Sequence, residues 1–458
     1  MNDTPRNTAD VGCKRIVFVG ASYLFVHKVL RDMLIVGGFD NVHLVVHDID
    51  EVPMTIVADL LEKIARQRRT NVTVSRTLDR EEALKRADAV LLAITVGGRE
   101  SDQRTFEVCA NYRIPVGVGD TLGPTALARN LRTIPIVVDL VRDMERLCPN
   151  AILLNFTNPM SALTGAMALS SHIPCFGLCH SADELFEFFG RVFDVPPLAI
   201  ELDVGGVNHQ SFVSGVRVRG VDRTRDMLVE IRRSGARMQD KLLTVTEEDT
   251  ALQQDVCEIL GVWPSCGADH LAEFYRFFYT ERRIEQLHLT KRLRRMVPGR
   301  APFVRKECPD IIRRWAYEEP AGDLDLPTSE HAHEILYAYF TGTPFTRVLN
   351  VLNRGPLIRG LPEDACVEAR VTLDGKSVTG PGVSLPPAAH ALVANWTAIH
   401  RLSIQAALRC DREAARQALF LDPHVHDLYD IAPLLEDLLT ATREWLPAGW
   451  FANGGVTT

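Results

Sequence analysis

The chain has 458 residues, 46% of them hydrophobic and 24% charged, which is typical of a soluble globular protein of about two to three domains. Its net charge of -8 argues against general binding to nucleic acid, and no apolar run reaches the ~18 residues that a membrane span needs. The ten cysteines include no CxxC pair, and the first residues lack the pattern of a secretion signal. We therefore expect a cytoplasmic protein with free thiols and a disordered tail over residues 1–13.

The first third of the chain alternates short apolar runs with helical patterns. Helical spacing of apolar residues occurs at Tyr23–Leu34, at Val52–Arg66 and from Ala128 to Cys148. The runs that predict strands are Arg15–Val19, Val42–Val46, Val72–Ser75, Ala89–Thr95 and Ala151–Asn155. This alternation predicts an α/β fold, with a Rossmann-like, doubly wound parallel sheet in a domain over residues 14–199.

Two features at strand ends favour a dinucleotide in that domain. Gly20-Ala-Ser22 is a glycine turn between the first strand and its helix, where backbone N–H groups can meet a pyrophosphate. Asp48, 28 residues after Gly20, ends the second strand and can hold ribose hydroxyls. The turn is not a full GxGxxG, so a plain turn glycine and a helix-capping Asp48 are the alternatives. The alternation and the two strand ends together favour nucleotide binding.

Four stretches rich in Gly, Asn, Cys, His and Asp adjoin apolar strands in the middle of the chain. They are Gly119–Pro124, Asn155–Met160, Gly177–Ser181 and Gly205–His209. Cys179 and His209 are the candidates for a metal site, since a thiolate and an imidazole suit a borderline divalent cation. No local spacing rule joins them, so a buried apolar cysteine and a hydrogen-bonded histidine are the alternatives. Their position just after strands favours the metal.

Residues 200–458 are predicted to form a mixed α+β domain that closes over the edge of the sheet. His331–Phe340 and Ala388–Ala415 have helical patterns, and Leu357–Leu373 reads as short strands with turns. Eleven of the 51 Lys and Arg residues lie between Arg282 and Arg314. A solvated helix face is the favoured interpretation of this basic segment, and an anion site, for a uronic acid carboxylate or a polyanion, is the alternative.

Almost end to end, the chain resembles the family 4 glycoside hydrolases. The matching stretches, in shared order, are Gly20–Ser22, His47–Asp50, Gly119–Pro124, Leu131–Pro135, Asn155–Met160, Gly177–Ser181, Gly206–His209, Asp269–His270 with Glu273, Asn353–Gly355, Leu361–Glu368 and Leu421–Pro423. Four residues from the metal cysteine sort this family by substrate, and C-H-S-A at Cys179–Ala182 is closest to the C-H-S-V of the α-galactosidase subgroup. The resemblance implies an α-galactosidase with a lactate/malate dehydrogenase-like architecture.

The resemblance also implies an unusual route to hydrolysis. In this family, NAD oxidises carbon 3 of the sugar, and a divalent metal, usually Mn²⁺, polarises the resulting oxygen. A base then removes the proton on carbon 2, the aglycone leaves by elimination, water adds, and the reduced cofactor restores the hydroxyl. The implied partner is a small sugar substrate, and the implied assembly is a homodimer or homotetramer. The resemblance thus implies that residues 200–458 carry substrate, metal and oligomer contacts.

Site residues carry over from the family one at a time. Cys179 and His209 match the metal ligands, and Asn158 matches an asparagine that contacts the substrate. His180 follows the metal cysteine, so it is expected to contact the substrate and protonate the leaving group, which imidazole can do near neutral pH. Asp120 and Asp269 are the remaining candidates for acid–base catalysis or for support of the metal ligands. The residues that match the cofactor side are Gly20, Ser22, Asp48 and Thr95.

Besides Ala182, which stands where the subgroup has Val, the sequence departs from the family pattern in two places. The first turn reads G-A-S where relatives read G-A-G-S, so one glycine is missing. The subgroup's Glu-Tyr pair reads Glu273-Phe274 here, and Tyr275, one residue along, is expected to pack in the core.

Three other functions are kept beside the α-galactosidase. An α-galacturonidase of the same family differs only in the sugar. A dehydrogenase of the lactate/malate type would consume added NAD, but it would leave Cys179, His209 and the C-terminal domain without a role. A non-catalytic NAD sensor, suggested by the missing turn glycine, would bind the nucleotide without metal or turnover.

Overall fold

The structure is a computed structural model. It describes residues 10–114, 116, 118–179, 181–240, 246–248, 250–267, 270–271, 274–275, 308–322, 328 and 330–452. Sequence predictions for residues 1–9 of the tail, His180, Asp269, Glu273 and the basic segment up to residue 307 therefore lie outside the described residues. In the rest of the predicted tail, the N–H of Val11 donates to the carbonyl of Gly38 at 2.9 Å.

Six parallel strands form the first half of the sheet, in the order β3-β2-β1-β4-β5-β6. They are β1 (Arg15–Val19), β2 (His43–His47), β3 (Thr73–Thr77), β4 (Ala89–Leu92), β5 (Ile152–Asn155) and β6 (Cys175–Gly177). Their central strands are rich in Val, Ile, Leu and Phe that are buried on both faces, as helices on both sides of a parallel sheet require. The predicted doubly wound parallel sheet is confirmed.

The helices of this half alternate with its strands. They are α1 (Val26–Val36), α2 (Glu51–Gln67), α3 (Arg80–Leu84), α4 (Gly98–Asn111), α5 (Gly123–Leu147), α6 (Met160–Ser170) and α7 (Ser181–Phe193). Asp50 caps α2 by accepting from the N–H of Val52, a local reason for the helix to begin there. The long helix α5 begins within the Gly119–Pro124 stretch. The position of this helix therefore fixes the position of that loop.

The second half continues the same sheet with antiparallel strands. Those strands are β7 (Ile200–Val207), β8 (Gln210–Val218), β9 (Val221–Asp222), β12 (Trp263–Pro264), β13 (Phe345–Leu352), β14 (Cys366–Asp374) and β15 (Ser377–Thr379). β10 (Met238–Asp240) and β11 (Thr246–Glu248) form a separate pair. Beyond β6 the order is β13-β14-β7-β8-β12, so β13 covers the open edge of the parallel sheet. The expected mixed α+β architecture is thus present as an extension of the first sheet.

Helices of the second half pack against this extension and also against helices of the parallel half. Within the described residues they are α8 (Met227–Ser234), α9 (Ala251–Leu260), α10 (Cys308–Tyr317), α11 (Ala332–Thr341), α12 (Pro387–Arg409), α13 (Arg412–Leu421) and α14 (Ile431–Ala441). The helical pattern over Ala388–Ala415 is two helices, because Cys410 adopts a left-handed φ of 51° and Asp411 caps the second one. Across the part of the chain that is described, no helix combines the length and the apolar character needed to cross a bilayer.

Candidate active site

Four polar segments meet at one edge of the sheet. Asn158 follows β5, Cys179 follows β6, and His209 lies in the two-residue turn between β7 and β8. Asp120 stands three residues before the start of α5. The structure thus brings together four residues that the sequence singled out separately.

Cys179 and His209 lie in direct contact. The Sγ atom of Cys179 is 3.3 Å from Nε2 of His209. Two such ligands bound tetrahedrally to one cation lie about 3.5 Å apart, as bond lengths of about 2.3 and 2.0 Å imply. His209 is 4% exposed and has a φ of 63°, so the turn presents its imidazole from a left-handed backbone conformation.

The other ring nitrogen of His209 is tied to Thr121. The Thr121 hydroxyl lies 2.9 Å from Nδ1 of His209 and 2.8 Å from Oδ1 of Asp120. An ionised carboxylate can only accept, so the hydroxyl donates its single proton to Asp120 and accepts from Nδ1–H of His209. This order leaves Nε2 with a lone pair on the side of Cys179, the form of histidine that binds a metal.

Asp120 also orients Asn158. Nδ2 of Asn158 donates to Oδ2 of Asp120 at 2.9 Å, which fixes which end of the amide faces the carboxylate. Oδ1 of Asn158 is buried and has no hydrogen-bond partner among the described residues. A buried carbonyl oxygen of this kind suits a donor brought by a ligand, such as a sugar hydroxyl.

A second imidazole completes the cluster. The ring centroids of His209 and His270 are 3.8 Å apart, and Asp120, His209 and His270 each place a possible ligand atom within 4.8 Å of the others. Burial raises the pKa of the Asp120 carboxyl, but the neighbouring His270 and His209, with Arg129 and the bond from Asn158, outweigh it and lower that pKa to about 2. Asp120 is therefore a carboxylate at neutral pH and acts as an acceptor.

The cofactor side is built around Gly20 and Asp48. Gly20 has a φ of 97°, and a Cβ there would lie 2.2 Å from the carbonyl oxygen of Ala93, so only glycine fits. The N–H of Ala21 donates to Oδ2 of Asp48 at 2.7 Å, which closes the turn against the end of β2. Oγ of Ser22 accepts from the N–H of Leu24 at 3.2 Å, within the same turn.

These residues suit a metal and a dinucleotide. A thiolate and a neutral imidazole are a donor set for a divalent cation, with room in the shell for oxygen ligands. Each oxygen of Asp48 accepts one backbone N–H, from Asp50 or Ala21, and keeps a lone pair for a ribose hydroxyl. Thr95 is exposed beyond the end of β4, at the carboxyl edge where ligands bind in such sheets.

Two side chains of the cluster were not among the predicted site residues. Thr121 lies in the predicted Gly119–Pro124 stretch and His270 in the Asp269–His270 motif, so position in a motif was the available signal. Tyr275, expected in the core, is 5% exposed, and burial raises its pKa. His180 and Asp269 lie outside the described residues, and their roles stay predictions.

Comparisons with known proteins find relatives that match this chain over most of its length. The family model described as "Family 4 glycosyl hydrolase" matches residues 15–192, and the model of its C-terminal domain matches residues 204–425. An α-galactosidase of Bacillus subtilis is 32% identical over 455 residues, covering 95% of this chain and 99% of that protein. An α-galacturonidase of Thermoanaerobacterium saccharolyticum is 27% identical, covering 81% and 82%. A 6-phospho-α-glucosidase from gut microorganisms, solved with NAD and Mn²⁺, superposes with a TM-score of 0.78 at 19% identity, covering 95% and 99%.

Proposed function

Because the chain belongs to the family 4 glycosyl hydrolases, we propose that it cleaves α-linked galactosides with the help of NAD and a divalent cation such as Mn²⁺. The observation that carries this proposal is the contact between Cys179 Sγ and His209 Nε2 beside Asp120 and Asn158. Plain hydride transfer needs no such pair, so the contact favours the glycosidase over a lactate/malate-type dehydrogenase.

The choice of sugar rests on the segment around the cysteine. The C-H-S-A stretch at Cys179–Ala182 resembles the α-galactosidase subgroup, and the relative at 32% identity is an α-galactosidase. The α-galacturonidase at 27% identity supports a uronic acid as the second candidate sugar. The two substrates differ only at carbon 6, so the same site chemistry serves both.

Bound NAD supplies reversible oxidation at carbon 3 of the sugar, and the divalent cation supplies a Lewis acid for the neighbouring oxygens. Cys179 and His209 would hold the cation, while the Gly20 turn and Asp48 would hold the dinucleotide. Both groups serve a hydrolysis, so no NAD is consumed overall.

The other residues position the sugar and its protons. Oδ1 of Asn158 accepts a hydrogen bond from a sugar hydroxyl, while Nδ2 of the same side chain keeps its hydrogen bond to Asp120. The two oxygens of Asp120 accept hydrogen bonds from Thr121 and Asn158. Because the Thr121 hydroxyl donates to Asp120, it accepts from Nδ1 of His209 and so keeps the imidazole proton on that nitrogen. We retain His180 as the proton donor to the leaving group and Asp269 as the further acid–base residue, on the family resemblance.

The test is release of paranitrophenol from the α-galactoside and the α-galacturonide, each with NAD and Mn²⁺ under reducing conditions, with and without a chelator. We expect faster release from the galactoside, dependence on both cofactors, and no net formation of NADH. Release from the galacturonide alone would make the galacturonide, and not the galactoside, the substrate of this protein. Net conversion of NAD to NADH would favour the dehydrogenase, and NAD binding without any turnover would favour the sensor.

A further inference from the structure

A buried carboxylate lies behind the turn that carries His209. Glu368, on β14, is 1% exposed, and its Oε1 accepts hydrogen bonds from Nδ2 of Asn208 and Nδ2 of Asn350, each at 3.0 Å. Its Oε2 accepts a third from Oγ of Ser211 at 2.6 Å. All three groups donate to Glu368, an arrangement that suits an ionised carboxylate.

The turn between β7 and β8 is held at Asn208 from two sides. The backbone N–H of Asn208 donates to Oγ of Ser161 at 2.9 Å, while its side chain donates to Glu368. The next residue, His209, has the left-handed φ that a bulky L-residue rarely adopts. Because Asn208 is fixed through both its main chain and its side chain, the turn cannot relax without breaking a buried hydrogen bond. The direction of the His209 imidazole therefore depends on these bonds.

The same side chains border the strand that leads to Cys179. Oγ of Ser161 donates to Oδ1 of Asn350 at 3.0 Å, which links α6 to β13. Asn350 pairs with Gly177, two residues before Cys179, and a Cβ on Gly177 would come within 2.8 Å of the Cβ of Asn350. One network of buried hydrogen bonds thus adjoins both segments that carry the proposed metal ligands.

We propose that Glu368 is a positioning residue for the metal site, whose carboxylate fixes the Asn208–His209 turn and thereby aims His209 at Cys179. The proposal rests on the proposed function, because it takes His209 and Cys179 as metal ligands. Glu368 acts through Asn208. Residues that hold metal ligands in place contribute about 10- to 100-fold to metal affinity in proteins, so the effect appears in the metal-binding constant itself.

The test is Mn²⁺ binding by the full-length protein, followed through the EPR signal of free Mn²⁺, in wild type and Glu368→Gln. Glutamine keeps the size of the side chain but removes its negative charge, so the amides of Asn208 and Asn350 lose their charge-assisted hydrogen bonds. We expect the Kd for Mn²⁺ to rise about 10-fold or more. We also expect the thiolate-to-metal charge-transfer band of the Co²⁺-loaded protein to change. Equal Kd values and equal Co²⁺ spectra would overturn the proposal.

Two further variants keep the test decisive. Ser161→Ala removes the acceptor of the Asn208 N–H and leaves the carboxylate intact, so it replaces Glu368→Gln if that variant does not fold, with a smaller rise in Kd expected. Ser214→Ala is the matched control, since its hydroxyl donates to the Asp203 carbonyl at 3.3 Å in the same hairpin, away from the turn. A Kd changed equally in all three variants would contradict the proposal.

The outcome for the wild type separates this proposal from the proposed function. Wild-type protein that binds no Mn²⁺ would overturn the metal-dependent function together with the positioning role. Wild-type protein that binds Mn²⁺, with Glu368→Gln and Ser161→Ala binding it equally well, would overturn the positioning role alone.

Discussion

Cys179 Sγ lies 3.3 Å from Nε2 of His209, although the two residues are 30 positions apart in the chain. We expect Cys179→Ser to weaken Mn²⁺ binding by at least about 100-fold, because a neutral hydroxyl replaces a thiolate ligand. Mutating a residue that only holds a metal ligand in place costs about 10- to 100-fold in metal affinity, and the loss of a ligand itself should cost at least as much. Glycosidase activity falls with it, and Mn²⁺ titration followed by EPR measures the loss. The exposed Cys13→Ser is the control and keeps wild-type affinity. Wild-type affinity in Cys179→Ser would remove the cysteine from the metal site.

The Thr121 hydroxyl gives a second prediction, because it fixes which nitrogen of His209 carries the proton. Thr121→Val keeps the shape of the side chain and loses the bonds to Asp120 and Nδ1 of His209. We expect kcat/KM to fall about 10- to 100-fold, together with Mn²⁺ affinity. Thr121→Ser retains the hydroxyl and recovers most of both. A serine variant as impaired as the valine variant would show that packing, and not the hydroxyl, is what matters.

The buried Oδ1 of Asn158 predicts an effect on substrate binding. Asn158→Ala removes the acceptor for a sugar hydroxyl, so we expect KM for the preferred paranitrophenyl glycoside to rise about 3- to 10-fold, the value of one neutral hydrogen bond. NAD affinity, measured by equilibrium dialysis, stays at the wild-type level because the Gly20 turn is untouched. An unchanged KM with weakened NAD binding would place Asn158 on the cofactor instead.

What the sequence could predict depended on how local each feature is. The strands β1 to β5 follow from apolar runs and flanking turns, all of which lie within a few residues of each other. The strand β13 was missed, because it is recognisable by its pairing with β6 rather than by the polar Thr346, Arg347 and Asn350 within it. Local sequence patterns therefore predict the parallel strands β1 to β5. The antiparallel extension of the sheet could be recognised only from the three-dimensional structure.

The candidate site also combines features that local sequence predicts with features that only the tertiary structure shows. Cys179 and His209 were identified because each follows an apolar strand. Their contact was not predictable from spacing. Thr121 reaches His209 across 88 residues, and Glu368 reaches Asn208 across 160, so only tertiary structure brings these pairs together.

The turn at Gly20 predicts a large penalty for a single methyl group. Gly20→Ala places a Cβ 2.2 Å from the Ala93 carbonyl at a φ of 97°, whereas Gly220→Ala has a φ of 77° and no atom within 4 Å of its Cβ. We expect Gly220→Ala to lose about 1 kcal/mol of unfolding free energy, and Gly20→Ala to lose about 1–3 kcal/mol more through overpacking. Urea unfolding measures both. Equal losses of unfolding free energy would mean that the segment just after β4 moves aside freely. The turn would then tolerate a side chain at Gly20 although its second glycine is missing.

The last prediction concerns pH and a buried carboxyl that is not part of the candidate site. Asp32 on α1 is fully buried, accepts from the N–H of Thr328 at 2.8 Å, and lies 4.0 Å from Nδ1 of His333. Burial raises its pKa to about 6, against 3.8 for the free side chain. Between about pH 4 and pH 6 the folded protein therefore holds a proton that the unfolded chain has released, so this group's contribution to stability is lost as pH rises through that window.

Asp32→Asn removes that loss, because an amide has no proton to release. We expect the unfolding free energy of the variant, relative to wild type, to increase by about 3 kcal/mol from pH 4 to pH 7, the worth of about two pKa units. His333, whose pKa burial lowers to about 4, has the opposite dependence and is present in both proteins. Urea unfolding of both proteins at several pH values measures the difference. Parallel curves over this range would mean that Asp32 stays ionised in the folded protein, held by Thr328.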